Sequence, residues 1–155
     1  MAGPTFSPLS DSERAWIGEQ LDGARLFIVT MSPADAGGPV TLAALDRAWA
    51  AWLAQEHGEQ ANAAINAVGT QFGQFLVDQA GFAWTIATNA NGTDLAVLAL
   101  PGRGDVLVYP ANFVAKRWER REAGFLAASF EAIREQVAAV ARGYSEERRP
   151  WWRFW

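Results

Sequence analysis

The sequence has no cysteine, which excludes disulfides, thiolate-bound zinc and thiol catalysis together. It has a single histidine, His57, so neither a multi-histidine metal site nor an acid/base pair of histidines can form within one chain. Lysine is nearly missing too, Lys116 being the only one among thirteen cations. Long apolar runs are absent as well. The longest near the start, residues 26–29, is far too short to cross a bilayer. The opening MAGPTFSPLSDSER lacks the basic-then-apolar order of a secretory signal. The expectation is a cytoplasmic protein with no membrane span.

At 155 residues a chain buries roughly 68–70% of its unfolded surface on folding, enough for one substantial core. The reading is a single α+β domain over residues 10–143. An irregular lead-in, residues 1–9, precedes it, and a polar linker with an aromatic tail, residues 144–155, follows. Charge is unevenly spread. Residues 1–102 hold three arginines against ten acids, whereas residues 103–155 hold ten cations against seven acids.

Ser10-Asp11-Ser12-Glu13 has capping-box spacing and opens a first helix, along which Trp16, Ile17, Leu21, Ala24 and Ile28 recur at helical intervals. Residues 27–30 would also suit a strand, and the reading leans to helix. Residues 32–39, with two glycines and two prolines, make a loop. Thr41 is an N-cap for a second helix striped by Leu42, Leu45, Trp49, Trp52 and Leu53; this spacing is that of a buried face, not of a stacking platform. His57, just before Gly58, suits a helix C-terminus. A third helix is expected over about residues 60–80. In it Gly69 and Gly73 share one side, which points to close approach of another backbone or, less simply, of a ligand.

Alternation of Phe82, Trp84 and Ile86 with small residues predicts a strand. Asn89-Ala90-Asn91-Gly92 then turns the chain into an antiparallel return over residues 93–100, apolar on both sides. A second turn, Pro101-Gly102-Arg103-Gly104-Asp105, leads to a third strand, residues 106–109. The Arg-Gly-Asp tripeptide within it is expected to be turn chemistry, since the opening residues do not read as an export signal. The product is a three-stranded antiparallel meander packed against four to five helices. Asn112 is expected to cap a fourth helix starting at Phe113, and a fifth runs from about Leu126 to Gly143.

Several of these stretches together resemble a bacterial family, domain of unknown function 3806. They are Gly69-x-x-Phe72-Gly73-x-Phe75-Leu76-Val77, Gly81-Phe82-x-Trp84, Gly92-Thr93-Asp94-Leu95-Ala96, Val106-x-Val108-Tyr109-Pro110 and Val114-Ala115-Lys116-Arg117. They cover about half the chain. The resemblance supports one domain and implies no activity.

Two surface candidates stand out. On the fourth helix Lys116, Arg117, Arg120 and Arg121 share an arc of roughly 140° at about 100° per residue. They suit an anion or acidic partner, or simply a solvated face. At the chain end Trp151, Trp152, Phe154 and Trp155 form an apolar group that should not stay in water. It can fold back on the domain, dock on another subunit or protein, or meet a membrane surface. Asp94 and Asp105, each at a strand start, are the carboxylates that could face one another. With a pI near 5.0 and no binding motif, nucleic acid is not an expected partner. No metal site, cofactor or catalytic constellation is recognisable. The expectation is a non-catalytic protein-interaction module, possible partners being another protein or a second copy of the chain. The alternatives are a small-molecule or anion-binding domain using Lys116, Arg117 and the hairpin turns, and an enzyme of unrecognised type.

Overall fold

The capping box at the chain's start closes as its spacing requires. In the computed structural model, which describes residues 3–55, 61–147 and 153–154 (backbone alone for 144–147 and 153–154), Ser10 Oγ accepts from the Glu13 amide at 3.2 Å. The Glu13 carboxylate in turn accepts from the Ser10 amide at 2.6 Å. Helix α1 runs from there over Asp11–Met31, so residues 27–30 are helical. Ile17, Ala24 and Ile28 form its buried stripe. A 3-10 turn, Pro33–Asp35, is clamped to the next helix by Arg47, which donates to both Asp35 oxygens at 2.7 and 2.9 Å.

Thr41 Oγ1 accepts from the Ala44 amide at 3.0 Å and starts α2, Leu42–Leu53. Trp49 and Trp52 are core residues with ring centroids 5.0 Å apart. Helix α3, Ala61–Gln79, follows. His57 lies outside the described residues.

The sheet contains β1 (Thr5–Ser7), β2 (Ala83–Asn89), β3 (Gly92–Ala99), β4 (Val106–Val108) and β5 (Arg153–Phe154), in that spatial order. The first four are antiparallel; β5 lies parallel to β4. The expected meander is therefore the middle of a larger sheet. Residues 5–7, expected to be irregular, form its edge, because three residues between two prolines carry no periodicity of their own. Their partner, β2, lies about eighty residues away in sequence.

Helix α4 spans Pro110–Glu119. It starts three residues earlier than expected, with Pro110 at its first position, where a fixed φ and a missing N–H cost nothing; Asn112 is not its cap. Helix α5 spans Leu126–Glu147 and runs through Gly143, which meets nothing within 4 Å. The helix-compatible Ser-Glu-Glu beyond it carries the helix past the expected stop.

The helices gather on one face of the sheet. Val97, Ala99, Val106 and Val108 meet Leu45, Val68, Phe72, Leu76, Phe113, Leu126 and Ile133 there in a single cluster. Phe72 and Phe113 stack at 5.1 Å, nearly coplanar. Specific polar links join the helices beside this core. Trp49 Nε1 donates to the Glu122 carbonyl at 2.8 Å, and the Asp46 carboxylate accepts from the Leu126 and Ala127 amides at 2.8 and 3.0 Å, capping α5 from α2. On the other face Ala87, Ala96, Leu98 and Leu107 are buried as a second group, so β3 is covered on both sides, as its doubly apolar pattern predicts. Gly104 is required where it stands: its φ is +119°, and a Cβ there would run into Val140.

Candidate functional site

β4 is short, and that opens the site. It pairs with β3 only at residues 97–99. Among the described residues, residues 92–96 of β3 thus have β2 as their one strand neighbour. Tyr109 and Pro110 turn away into α4, and α1 passes nearby. Between them lies a cleft of about 500 Å³ whose polar and aromatic lining is Trp16, Asn89, Asn91, Asp94, Tyr109 and Asn112.

Each lining residue is held by the local fold. Asn89 ends β2; its Oδ1 accepts from the Asn91 amide at 2.8 Å, a local turn that fixes the amide group. Its Nδ2 donates to the Tyr109 hydroxyl at 3.3 Å. Asp94 stands opposite Ala87 in the β2–β3 register and is exposed. Tyr109 is half-buried. Burial raises its phenol pKa above 10.0, the Asp94 charge adds to the rise and the Asn89 hydrogen bond opposes it. The phenol is therefore protonated at neutral pH and can donate. Trp16, half-buried, precedes the buried Ile17 on α1.

The α4 side of the cleft is positioned by two glycines of α3. A Cβ at Gly69 would lie 2.8 Å from Ala111 Cα and 3.0 Å from the Pro110 carbonyl. One at Gly73 would lie 2.6 Å from Trp84 Cη2 and 2.8 Å from Pro110 Cγ. The flat face of α3 thus admits α4's first turn and the Trp84 ring, whose Nε1 donates to Gln74 Oε1 at 2.9 Å. Gly69 thus serves backbone approach, the simpler of the pair's two readings, whereas Gly73 makes room for side chains, the Trp84 and Pro110 rings.

The expected basic arc is divided. Lys116 is exposed on α4. Arg117 turns inward: its guanidinium sits 3.8 Å over the Phe113 ring and pairs with Glu122 at 3.7 Å. Burial lowers its pKa, with Glu122 opposing. Arg120 is the C-cap, and Arg121 lies beyond the helix with φ 54°. Arg121 stacks 4.2 Å over Trp118 and donates to the Trp118 carbonyl at 2.7 Å. The uniform 100° spacing behind the arc fails because α4 ends at Glu119.

Asp94 and Asp105 do not face one another. Ala99 pairs with Val106, which sets Asp105 level with Leu100, about 20 Å along the strand from Asp94 at ~3.4 Å per residue. Asp105 is buried and its Oδ1 accepts from the Gly102 amide at 2.8 Å, locking the turn. Trp151, Trp152 and Trp155 lie outside the described residues; the backbone of Phe154 pairs with Leu107 in β5.

Of the cleft residues, only Asp94 carries a sequence signal for chemistry. Asn89 and Asn91 read as turn formers and Tyr109 as a strand end, while Trp16 reads as a helix stripe; only the fold brings them together. Among the described residues no helix is long and apolar enough to cross a membrane, and no group of three His, Asp or Glu could hold a metal ion.

Comparison with curated proteins and with solved structures finds no match. A family model, domain of unknown function (DUF3806), matches residues 44–130, a span that includes α3, the β2–β3 hairpin, β4 and α4 and therefore every polar residue of the cleft except Trp16. Over more than half its length the chain thus belongs to the DUF3806 family.

Proposed function

We propose that this protein is a non-catalytic binding domain for a small, donor-rich molecule of neutral or positive charge, such as a sugar or amino sugar. The observation that carries the reading is the cleft's lining: three amides, a carboxylate, a phenol and an indole, with no cation among them. Asp94 accepts only, so it calls for a hydroxyl or ammonium donor. Asn89, Asn91 and Asn112 can each donate and accept, and Trp16 offers a flat apolar surface to a ring. A volume of about 500 Å³ lies within the usual ~300–1,000 Å³ of small-molecule sites. The lining does not suit an anion, since Lys116 is not part of it and the nearest formal charge is negative. Calorimetry on the full chain with glucosamine and methyl β-glucoside tests the reading. Asp94→Asn should weaken glucosamine about tenfold or more, the loss of one charge-assisted hydrogen bond, and leave methyl β-glucoside within about threefold. Equal affinity of wild type and Asp94→Asn for glucosamine refutes it.

A second reading, a protein-docking surface, is favoured by α1. Leu26 and Val29 are 66% and 43% exposed, and Leu26 borders a mixed groove whose apolar side chains include Phe27, Met31 and Trp52 and whose rim carries Glu19 and Gln55. If this face docks a partner, Leu26→Glu abolishes co-purification of that partner while leaving the folded chain intact; an unchanged set of co-purifying proteins counts against it.

A further inference from the structure

β1 stops short along β2, and a second pocket opens where it does. The pairing runs from Thr5↔Thr88 to Ser7↔Ile86 and no further, because Pro8 lacks the N–H that would continue the ladder. Thr85 Oγ1 donates to the Ser7 carbonyl at 3.0 Å and fixes the point of departure. The chain then passes through Leu9 to the Ser10 cap of α1, on which Arg14 and Ile17, three residues apart, share a side. Pro8, Leu9, Arg14 and Ile17, with Trp84 of β2, line a pocket of about 360 Å³. It shares no lining residue with the cleft at Tyr109.

We propose that this pocket binds a small carboxylic acid with a flat apolar body, an arylacetate for instance. Arg14 is the charged residue of the lining, and it is exposed and uncommitted. The ion pairs among the described residues join other arginines to their acids. Its hydrogen bond to the Leu9 carbonyl, at 3.5 Å, is longer than the ~2.7–3.2 Å of a well-formed one. Glu13, the acid next to it, is engaged with the Ser10 amide in the capping box. A guanidinium so placed offers a carboxylate two parallel N–H donors. The rest of the lining is apolar or aromatic, and its ring is a fixed wall. Trp84 Nε1 donates to Gln74 Oε1 at 2.9 Å, Gln74 Nε2 donates to Asp78 Oδ1 at 2.8 Å, and the far edge of the indole lies against Gly73. One cation among apolar walls matches a monoanion. A phosphate dianion would lose water from oxygens that these walls cannot hydrogen-bond. The volume, near the lower end of the usual ~300–1,000 Å³, suits a single ring. This site is opposite in charge preference to the cleft and does not rest on the function proposed there.

The test is an NMR titration of the full chain that follows the Trp84 indole N–H, with phenylacetate, its neutral isostere phenylacetamide, and acetate as probes. In the wild type the resonance should shift saturably with phenylacetate, at a Kd of about 1 mM or tighter. Phenylacetamide should bind about tenfold or more weakly, the worth of a charge-assisted hydrogen bond. Acetate, which has the carboxylate without the ring, should leave the indole in place. In Arg14→Met the two phenyl compounds should bind within about threefold of each other, with the melting temperature within about 2 °C of wild type because the side chain is exposed. The three wild-type titrations stand without the variant. A Trp84 indole that does not move with phenylacetate, or that moves equally with acetate or with phenylacetamide, overturns the proposal. So does equal affinity of wild type and Arg14→Met for phenylacetate, which would place the carboxylate elsewhere.

Discussion

Replacing Gly69 with alanine puts a methyl group 2.8 Å from Ala111 Cα and 3.0 Å from Ala111 N and the Pro110 carbonyl. All three are backbone atoms, so no side chain can rotate aside. To restore an ordinary contact of ~3.5 Å, α4's first turn must retreat by about 0.7 Å. Alanine gains about 1 kcal/mol over glycine in a helix interior, whereas overfilling a packed contact costs about 1–3 kcal/mol, and α4 also loses contact along the Phe72–Phe113 stack. The net expectation is a loss of about 1–2 kcal/mol. Gly18 in α1 supplies the control, since a Cβ there meets nothing within 4 Å; Gly18→Ala should gain up to about 1 kcal/mol. In urea, at a slope of roughly 2 kcal/mol per molar, the Gly69→Ala midpoint should fall by about 0.5–1 M while that of Gly18→Ala rises. A Gly69→Ala protein as stable as wild type would refute the claim that backbone approach, and not some property of the glycine elsewhere, places it there.

Other perturbations follow the same geometry. Asp46→Ala removes the side-chain acceptor from two amides of α5 and should cost about 1–2 kcal/mol in the urea midpoint; a loss under about 0.3 kcal/mol contradicts the capping role. Arg117→Ala, which strips a half-buried guanidinium from the Phe113 ring, should cost about 1 kcal/mol, whereas Lys116→Ala should stay within about 0.5 kcal/mol; equal effects contradict the division of the basic group. Asp35, held by Arg47 and then by Ser32, has its carboxyl pKa lowered from 3.8 to about 2. The folded value lies below the unfolded one, so the pair's stabilisation is complete above pH ~3.8 and fades as pH falls towards ~2. A carbon-detected NMR titration should give that low midpoint in the wild type and a higher one in Arg47→Met, still below 3.8 because the Ser32 hydrogen bond remains.

Local signals carried far in this sequence. The capping box of α1, the Thr41 cap of α2, the hairpin at residues 89–92 and the doubly apolar β3 are all determined within a few residues, and each stands where its pattern puts it. What failed depended on partners distant in the chain. β1 is a strand only because β2 offers an edge, and α4 begins at Pro110 because α3's glycines receive it there. The basic group of α4, by contrast, departs from even spacing for a local reason: the helix ends at Glu119, and Phe113 and Trp118 draw Arg117 and Arg121 onto their rings. The cleft was least legible. Its six polar and aromatic residues come from α1, the hairpin, β3 and the start of α4, and four of them already had a sufficient local explanation as turn, cap or stripe residues.

The central claim is that this cleft binds a donor-rich small molecule, and nitrogen-detected NMR of the full chain tests it most directly. On titration with glucosamine, the Trp16 indole and the side-chain amides of Asn89, Asn91 and Asn112 should shift together and saturably. Inorganic phosphate at the same concentration should leave them in place. Stationary cleft resonances with glucosamine, or movement with phosphate alongside Lys116 and Arg120, would contradict the account.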